Sequence, residues 1–239
     1  MKHTKEIQIQ RSYYADTAAA YNSMHVDEGD EHFLALALMV GALDYLRVRS
    51  ILDIGSGTGR VLSYIKRCRP DLRIIGIEPV KELREIGHAS GLSQEELLDG
   101  DATDLQFGAS DFDLVCEFGV LHHIRNPDRA VAEMLRVAGR AVFISDSNNF
   151  GQGSATARSL KQIINYFGLW RFANYVKTKG KGYSITDGDG LAYSYSVFNN
   201  YEQIKRQCKS IHCLNTKDGS LNPYATACHV ALLGIKNLN

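Results

Sequence analysis

The stretch that most constrains this chain is SILDIGSGTGR, residues 50–60. It predicts a buried strand over 51–54, then a turn with glycines at Gly55, Gly57 and Gly59, then a helix. Glycine allows the chain to turn where a Cβ would clash, and it lets a ligand lie against bare backbone. Such a turn presents unpaired N–H groups at the carboxyl end of a strand. We therefore expect a site for an anionic or nucleoside-bearing ligand.

The spacing of these glycines is G-x-G-x-G after Asp53, not the G-x-G-x-x-G of the dinucleotide fingerprint. Three glycines alone also fit a tight turn without a ligand. The following residues favour a ligand site, because the next helix has an apolar face and Pro70 helps to end it. That face consists of Val61, Leu62, Ile65 and Cys68.

Two acids follow at the ends of predicted strands. The run LRIIGIE, Leu72 to Glu78, ends in a carboxylate that can accept hydrogen bonds from ribose hydroxyls and repel a 2′-phosphate. A short strand over 95–98 leads to Gly100-Asp101-Ala102, where Asp101 could accept from an adenine amine. The alternatives are a surface acid at Glu78 and an ordinary turn at Asp101.

Further strands are predicted over 112–118 and 139–146, with a helix over 126–137 that Asn126 and Pro127 begin. A helix over 33–46 precedes the glycine turn. In the polar entry segment, Tyr14 and Tyr21 share a helical face, which fits either core packing or an aromatic cover over a pocket.

The last part of the chain predicts a helix over 201–208 and strands over 210–215 and 225–236. Without a helix between them these strands must pair antiparallel, since a parallel crossover needs roughly a dozen residues or more. The predicted fold is α/β, a Rossmann-like doubly wound seven-stranded sheet, mostly parallel with an antiparallel C-terminal hairpin. This hairpin and the glycine spacing count against a nicotinamide enzyme.

We expect one domain, 1–239, with four parts. These are a helical cap (1–46), a cofactor-binding core (47–147), a lid for the substrate (148–200) and a C-terminal helix with the hairpin (201–239). The lid carries aromatic residues and a basic run, KTKGKG, which fits either a substrate anion or a solvated loop. Its DGDG sequence lacks the ligands of a calcium loop and predicts a turn.

Together these residues resemble the class I S-adenosylmethionine-dependent methyltransferases of the small-molecule type. The match rests on DIGSGTG at 53–59, Glu78, Gly100-Asp101-Ala102, the strand at 113–118 and VLHHI-x-N-P at 120–127. The resemblance implies S-adenosylmethionine as cofactor. It also implies these places around the cofactor: Gly55, Ser56, Gly57 and Gly59 against the methionine part, Asp53 near the ammonium group, Glu78 on the ribose, Pro79 and Ala102 beside the adenine, Asp101 on the adenine amine, Glu117 and Phe118 at the methionine end, and Tyr14 and Tyr21 folded over the cofactor.

Methyl transfer from a sulfonium is an in-line displacement that depends mainly on alignment. A base is needed when the acceptor is a hydroxyl or a protonated amine. His122 and His123 follow the fourth strand near the expected methyl position, and the resemblance favours a structural role for His123. His122 is therefore the candidate base, although a capping or packing role fits it too. No metal site is expected.

Charge and composition exclude several classes. Lys+Arg and Asp+Glu both number 27, so no global field attracts nucleic acid or an anionic membrane. No apolar run approaches the roughly 20 residues of a membrane span, and the polar start is no signal peptide. Five scattered cysteines suit a reduced cytosol.

We accordingly expect a cytoplasmic enzyme that methylates an oxygen, or else a nitrogen, of a small polar or aromatic metabolite, with no membrane partner and nucleic acid unlikely as a partner. A methyltransferase of protein or RNA, or a non-catalytic cofactor-binding scaffold, are the alternatives. The sequence leaves the oligomeric state open.

Overall fold

A computed structural model describes residues 2–27 and 29–237. The strands are β1 (Ser50–Ile54), β2 (Arg73–Ile77), β3 (Leu97–Leu98), β4 (Phe112–Phe118), β5 (Ala138–Ser147), β6 (Tyr183–Thr186), β7 (Gly190–Tyr193), β8 (Ser210–Asn215) and β9 (His229–Ile235). The α-helices are α1 (Lys2–Thr17), α2 (Tyr21–His25), α3 (Glu31–Ala42), α4 (Arg60–Cys68), α5 (Lys81–Ala89), α6 (Pro127–Val137), α7 (Ala155–Tyr166), α8 (Trp170–Lys177) and α9 (Tyr201–Lys205). Within the described residues, no helix combines the length and the apolar character needed to cross a bilayer.

Seven of these strands form one sheet in the order β3-β2-β1-β4-β5-β9-β8. The first five pair in parallel, and β9 runs antiparallel to both of its neighbours, β5 and β8. The predicted Rossmann-like sheet with its antiparallel C-terminal hairpin is confirmed. The strand order reverses between β1 and β4, and in open α/β sheets the carboxyl ends of strands at such a point form a ligand crevice.

The strand β1 is buried on both faces, which explains why its residues are mostly apolar. Leu52 and Ile54 belong to a core shared with α6, whereas Ile51 belongs to a second core shared with α3 and α4. Packing from both sides fixes the strand that precedes the glycine turn, so the turn itself is held in a defined position.

The structure differs from the sequence prediction at the end of the chain. β9 begins at His229 rather than at 225, and β8 and β9 are joined by residues 216–228. The buried Asn148 explains the late start, because its amide nitrogen donates to the carbonyls of Pro223, Tyr224 and Ala227. These bonds hold the backbone at 223–227 out of the sheet. The short strand β3 begins later than predicted, and α9 ends sooner.

The lid contains more regular structure than predicted. It contains α7, α8 and the β6–β7 hairpin. The hairpin pairs antiparallel from Tyr183 with Tyr193 to Thr186 with Gly190, and residues 187–189 of the DGDG sequence make the predicted turn. β6 is mostly exposed and therefore lacks the apolar alternation that marks a strand.

Candidate active site

A cavity of about 900 Å³ opens at the carboxyl ends of β1, β2 and β4, a volume within the usual range for small-ligand sites. The predicted cofactor residues along its wall are Tyr14, Tyr21, Gly55, Glu78, Pro79, Asp101, Ala102 and Phe118. A small adjoining space is bordered by Asp53 and Ser56, together with Tyr21, Gly55 and Phe118. Gly57, Gly59 and Glu117 border neither space.

The glycine turn follows β1 with three residues in the left-handed region. The φ angles are 66° at Gly55, 55° at Gly57 and 86° at Gly59. A Cβ on Gly55 would lie 2.4 Å from Val120 Cγ2, and one on Gly57 would lie 2.4 Å from Tyr21 Oη. The turn therefore requires glycine both for its backbone conformation and for the side chains that press against it.

Glu78, directly after β2, is a fixed hydrogen-bond acceptor on the cavity wall. Its carboxyl oxygens accept from the backbone N–H of Gly57 at 3.0 Å and of Val80 at 2.8 Å. Only 6% of the residue is exposed, and this burial raises the pKa of Glu78 to about 7 although both backbone donors lower it. Such an oriented acceptor suits ligand hydroxyls.

Asp53, inside β1, has a buried carboxyl oxygen without a partner. Oδ2 has no hydrogen-bond donor among the residues the structure describes, and the residue is 1% exposed. Burial raises its pKa to about 7. An unsatisfied buried acceptor costs about 1–3 kcal/mol, and a cationic ligand group would remove that cost. The site therefore fits a ligand that carries an ammonium group.

Asp101 lies at the end where α1 crosses the cavity. Its Oδ1 accepts from the backbone N–H and the hydroxyl of Thr103, at 2.8 and 2.7 Å. Its Oδ2 lies 3.3 Å from Arg11 Nη2 of α1. A side chain of the N-terminal helix thus reaches the carboxylate predicted to bind the adenine amine.

Tyr14 and Tyr21 serve both of the roles that the sequence suggested. Their rings meet edge-on with centroids 5.8 Å apart and pack with Ala18 on Val80 and Leu83. Both rings also line the cavity, and burial raises the pKa of both phenols. The N-terminal segment therefore covers the site with side chains that are at the same time core residues.

The last two residues of β4, Glu117 and Phe118, have different surroundings in the structure. Phe118 borders both spaces, as predicted for the methionine end. Glu117 is fully buried, and its Oε2 accepts from the Val120 N–H at 2.8 Å. Its carboxyl group supports the turn after β4 and does not border the cavity, contrary to the sequence expectation.

His122 lies between two carboxylates. Its Nδ1 is 2.6 Å from Asp146 Oδ1, and its Nε2 is 3.3 Å from Asp189 Oδ2. Burial lowers the pKa of His122, but the two carboxylates raise it well above the ordinary value. The two carboxylates thus favour the charged form of the ring, and His122 does not line the cavity. This arrangement does not favour His122 as the base, and its predicted role stays a prediction.

His123 does line the cavity. Its Nδ1 lies 2.8 Å from the Leu191 carbonyl and 2.9 Å from Gln10 Nε2, and because the carbonyl oxygen can only accept, we assign the proton to Nδ1. Nε2 then carries the lone pair and accepts from the Tyr14 hydroxyl at 3.0 Å. Burial and the neighbouring charge on His122 lower the pKa of His123. Its environment thus favours the neutral form of the ring, which is the form that can accept a proton.

Asp189 is a site residue that the sequence analysis did not identify. It lies in the β6–β7 turn, with Oδ2 near His122 and Oδ1 3.4 Å from His123 Nε2. One donor atom from each of these three residues lies within 4.8 Å of the others, a distance that a metal ion could bridge. Ion pairing with the charged His122 already accounts for the arrangement, and the expectation of no metal site stays a prediction. The only sequence signal for Asp189 was an Asp-Gly turn.

Comparison with known proteins shows which proteins this chain is similar to. A methyltransferase domain model matches residues 52–142. Ajmaline N-methyltransferase from Rauvolfia serpentina is 31% identical over 101 residues, which cover 40% of this chain and 34% of that protein. Phosphatidylethanolamine N-methyltransferase from Cereibacter sphaeroides is 25% identical over 133 residues, which cover 49% of this chain and 59% of that protein. The matched region thus spans about a third of the length of the first relative.

The fold also resembles that of solved methyltransferases. The magnesium protoporphyrin IX methyltransferase of Synechocystis, solved with bound S-adenosylhomocysteine, superposes with a TM-score of 0.63 at 15% identity, covering 97% of this chain and 100% of that chain. At this identity the likeness shows the fold. The segment that matches the methyltransferase domain contains the glycine turn, Glu78 and Asp101. The structure places Gly55 of the turn, Glu78 and Asp101 on one cavity. Residues 52–142 thus match a methyltransferase domain, the fold is that of the class I methyltransferases, and S-adenosylmethionine is the cofactor that this domain and the cavity residues indicate.

Proposed function

We propose that this chain transfers a methyl group from S-adenosylmethionine to an oxygen or nitrogen of a small polar or aromatic metabolite. The observation that carries the proposal is the composition of the cavity. Its wall includes Glu78 and Asp101, the residues predicted for the nucleoside. The same wall includes His123, Tyr193 and Tyr195, which have no predicted part in binding the cofactor. These additional residues are available to contact an acceptor.

Contacts between α1 and the β6–β7 hairpin favour a small acceptor over a macromolecule. The Tyr13 hydroxyl donates to the Asp187 carbonyl at 2.6 Å, and Gln10 Oε1 accepts from the Leu191 N–H. A protein or RNA chain would have to break such contacts to reach the cavity, whereas a metabolite has only to enter it. The names of two relatives, ajmaline N-methyltransferase and phosphatidylethanolamine N-methyltransferase, support nitrogen as an acceptor atom beside oxygen.

When bound, the cofactor supplies a methyl group on a positively charged sulfur, which moves by in-line displacement. The residues of the chain hold and orient the reactants. Ionised Glu78 and Asp53 present fixed acceptors to hydroxyl and ammonium groups. The buried position of both carboxyl groups keeps water from competing for them.

We further propose that Tyr14 and His123 remove the proton of the acceptor. The Tyr14 hydroxyl, on the cavity wall, already donates to His123 Nε2. Tyr14 Oη can accept the acceptor's proton while its own proton moves to His123, and this leaves a neutral phenol and a charged imidazole. The Leu191 carbonyl holds the Nδ1 proton throughout, and Asp189 stabilises the new charge.

Two measurements test these proposals. Calorimetric titration with S-adenosylmethionine, S-adenosylhomocysteine and NAD should show binding of the first two ligands alone. Mass spectrometry of a metabolite panel incubated with S-adenosylmethionine should then identify a methylated product. Methylation of protein or RNA and of no metabolite would overturn the small-acceptor proposal, and binding without any methylation would favour a scaffold.

The proton path has its own test. Tyr14→Phe should keep the affinity for S-adenosylmethionine within a few-fold, because the ring and its packing remain. It should slow turnover by roughly 100-fold or more if the acceptor must lose a proton. Unchanged turnover in Tyr14→Phe and in His123→Gln would exclude the path.

A further inference from the structure

The charge of the chain is distributed unevenly, although its total is zero. Residues 147–186 contain no Asp or Glu and six Lys or Arg. The rest of the chain therefore carries the balancing negative charge. This segment comprises α7, α8 and β6, so the positive excess lies in the lid.

The outer face of α7 is apolar. Leu160, Ile163 and Phe167 recur at helical spacing and are each more than half exposed. The inward side is polar, since Lys161 Nζ donates to the Gln152 carbonyl and Gln162 Nε2 donates to the Phe150 carbonyl. The usual amphipathic arrangement is thus inverted, with the polar side on the protein and the apolar side in solvent.

The helix α8 continues this pattern. Phe172, Tyr175 and Val176 lie at i, i+3 and i+4 and are more than half exposed. The inner side is anchored by Trp170, whose Nε1 donates to Ser194 Oγ at 3.0 Å. Exposed lysines at 177, 179 and 181 follow immediately. We call the exposed apolar side chains of α7 and α8, together with these three lysines, the lid face.

We propose that the lid face docks on the surface of an anionic lipid bilayer. Apolar helix faces bordered by Lys and Arg enter the boundary between headgroups and acyl chains, where the apolar groups leave water and the cations meet anionic headgroups. The lid face offers both parts on adjacent elements. The neutral total, from which the sequence predicted no membrane partner, conceals this local separation.

Other occupants fit the lid face less well. A second copy of the chain would bring two acid-free basic segments together, and like charges would oppose the contact. RNA would match the lysines and could stack on the aromatic rings, but Leu160, Ile163 and Val176 would gain little from phosphates or base edges. An anionic bilayer satisfies the aliphatic residues and the lysines together.

The lid face also lies beside the cavity wall. Arg171 lines the cavity, while the next residue, Phe172, is exposed on the lid face. Docking would therefore hold this part of the cavity wall near the bilayer. The docking itself does not depend on the proposed methyl transfer and can be measured without any acceptor.

The test is vesicle flotation of the full chain with phosphatidylcholine alone and with phosphatidylcholine mixed with phosphatidylglycerol. We expect binding to the mixed vesicles only, weakened by salt. Replacing Lys177, Lys179 and Lys181 together by Gln should weaken binding by about 100-fold, from the usual contribution of each lysine near an anionic surface. Phe167→Ser with Phe172→Ser should weaken it while leaving the net charge unchanged.

The matched control replaces three exposed lysines elsewhere, Lys81, Lys205 and Lys209, by Gln. It removes the same charge and should bind like the unchanged protein. An equal loss of vesicle binding in the control would show that the effect depends only on net charge, and it would overturn the proposal. So would absence of vesicle binding, binding to polyuridylate RNA alone, or a dimer in ultracentrifugation that the Phe167→Ser and Phe172→Ser variant abolishes. Circular dichroism verifies that each variant is folded.

Discussion

At the residue scale, two buried carboxyl groups next to the cavity titrate near neutral pH. Burial raises the pKa of Asp53 and of Glu78 to about 7. In the protein without ligand, both groups therefore hold their protons well above the pH at which they would lose them in the unfolded chain. Their contribution to folding stability is present at low pH and is lost as the pH rises toward 7. A ligand that donates to them favours the ionised form.

The affinity for S-adenosylmethionine should consequently increase with pH below about 7. Binding releases protons from groups that are protonated in the free protein, and the dissociation constant can fall by up to roughly tenfold per pH unit for each such group. Calorimetry across this range, in buffers of different ionisation enthalpy, measures both the affinity and the protons released. Glu78→Gln should bind more weakly and depend less on pH. A pH-independent affinity would contradict the assignment.

Gly57, in the glycine turn, can be compared with Gly91, which lies outside it. Gly57 and Gly91 both have positive φ, 55° and 102°, but a Cβ meets other atoms only at Gly57. Each Ala substitution should cost about 1–2 kcal/mol of folding stability through backbone strain. Only Gly57→Ala should also lose affinity for S-adenosylmethionine, by tenfold or more. Denaturant titration and calorimetry measure the two effects, and equal cofactor affinity in both variants would refute the role of Gly57.

The sequence predicted the carboxylates that accept hydrogen bonds at the strand ends, because strand order fixes where those ends meet. Glu78 and Asp101 are examples, and the structure places both on the cavity. The roles of the two histidines could not be predicted in the same way. They are adjacent in sequence, yet carboxylates flank His122, whereas a backbone carbonyl and a phenol contact His123. Their partners come from β5, β7 and α1, which sequence order does not bring together.

At the element scale, buried strands were predictable and the exposed hairpin was not. β1 and β4 are mostly apolar and buried, whereas β6 is mostly exposed. The hairpin gains its place from contacts with distant elements, above all Asp189 with His122. Because the pKa of His122 is raised, the stabilisation from its ionised form is fully present below the ordinary histidine pKa and is lost only as the pH rises past the raised value.

Replacing Asp189 by Asn should loosen the hairpin and lower the pKa of His122, because one of its two carboxylate partners is lost. The Asp189 side chain is 45% exposed, so solvent screens the pair and we expect only a few-fold faster amide exchange at 183–193. Nuclear magnetic resonance titration of the His122 ring measures the pKa. Asp187→Asn is the matched control, since the Asp187 contact to Tyr13 uses its backbone carbonyl. An unchanged His122 pKa in Asp189→Asn would exclude the ion pair.

At the scale of the whole molecule, α1 and the β6–β7 hairpin form one connected structure over the cavity. α1, from the start of the chain, meets the hairpin that follows the fifth strand of the sheet. Glu6 Oε2 accepts both from Arg125 Nη1 and from the Tyr193 hydroxyl, each at 2.8 Å. It thereby joins α1, β7 and the turn before α6. The sequence showed a cap and a lid as separate segments, and only the fold shows that they close on each other.

Breaking this link should therefore loosen both covers at once. Glu6→Ala removes an acceptor shared by two donors, at a cost of about 1 kcal/mol because Arg125 is half exposed. Hydrogen exchange should quicken roughly fivefold in α1 and in the β6–β7 hairpin together. Gln8→Ala, at an exposed position of the same helix, should change neither. Faster exchange confined to α1 would show that the two covers open independently, and the affinity for S-adenosylmethionine should then depend on α1 alone.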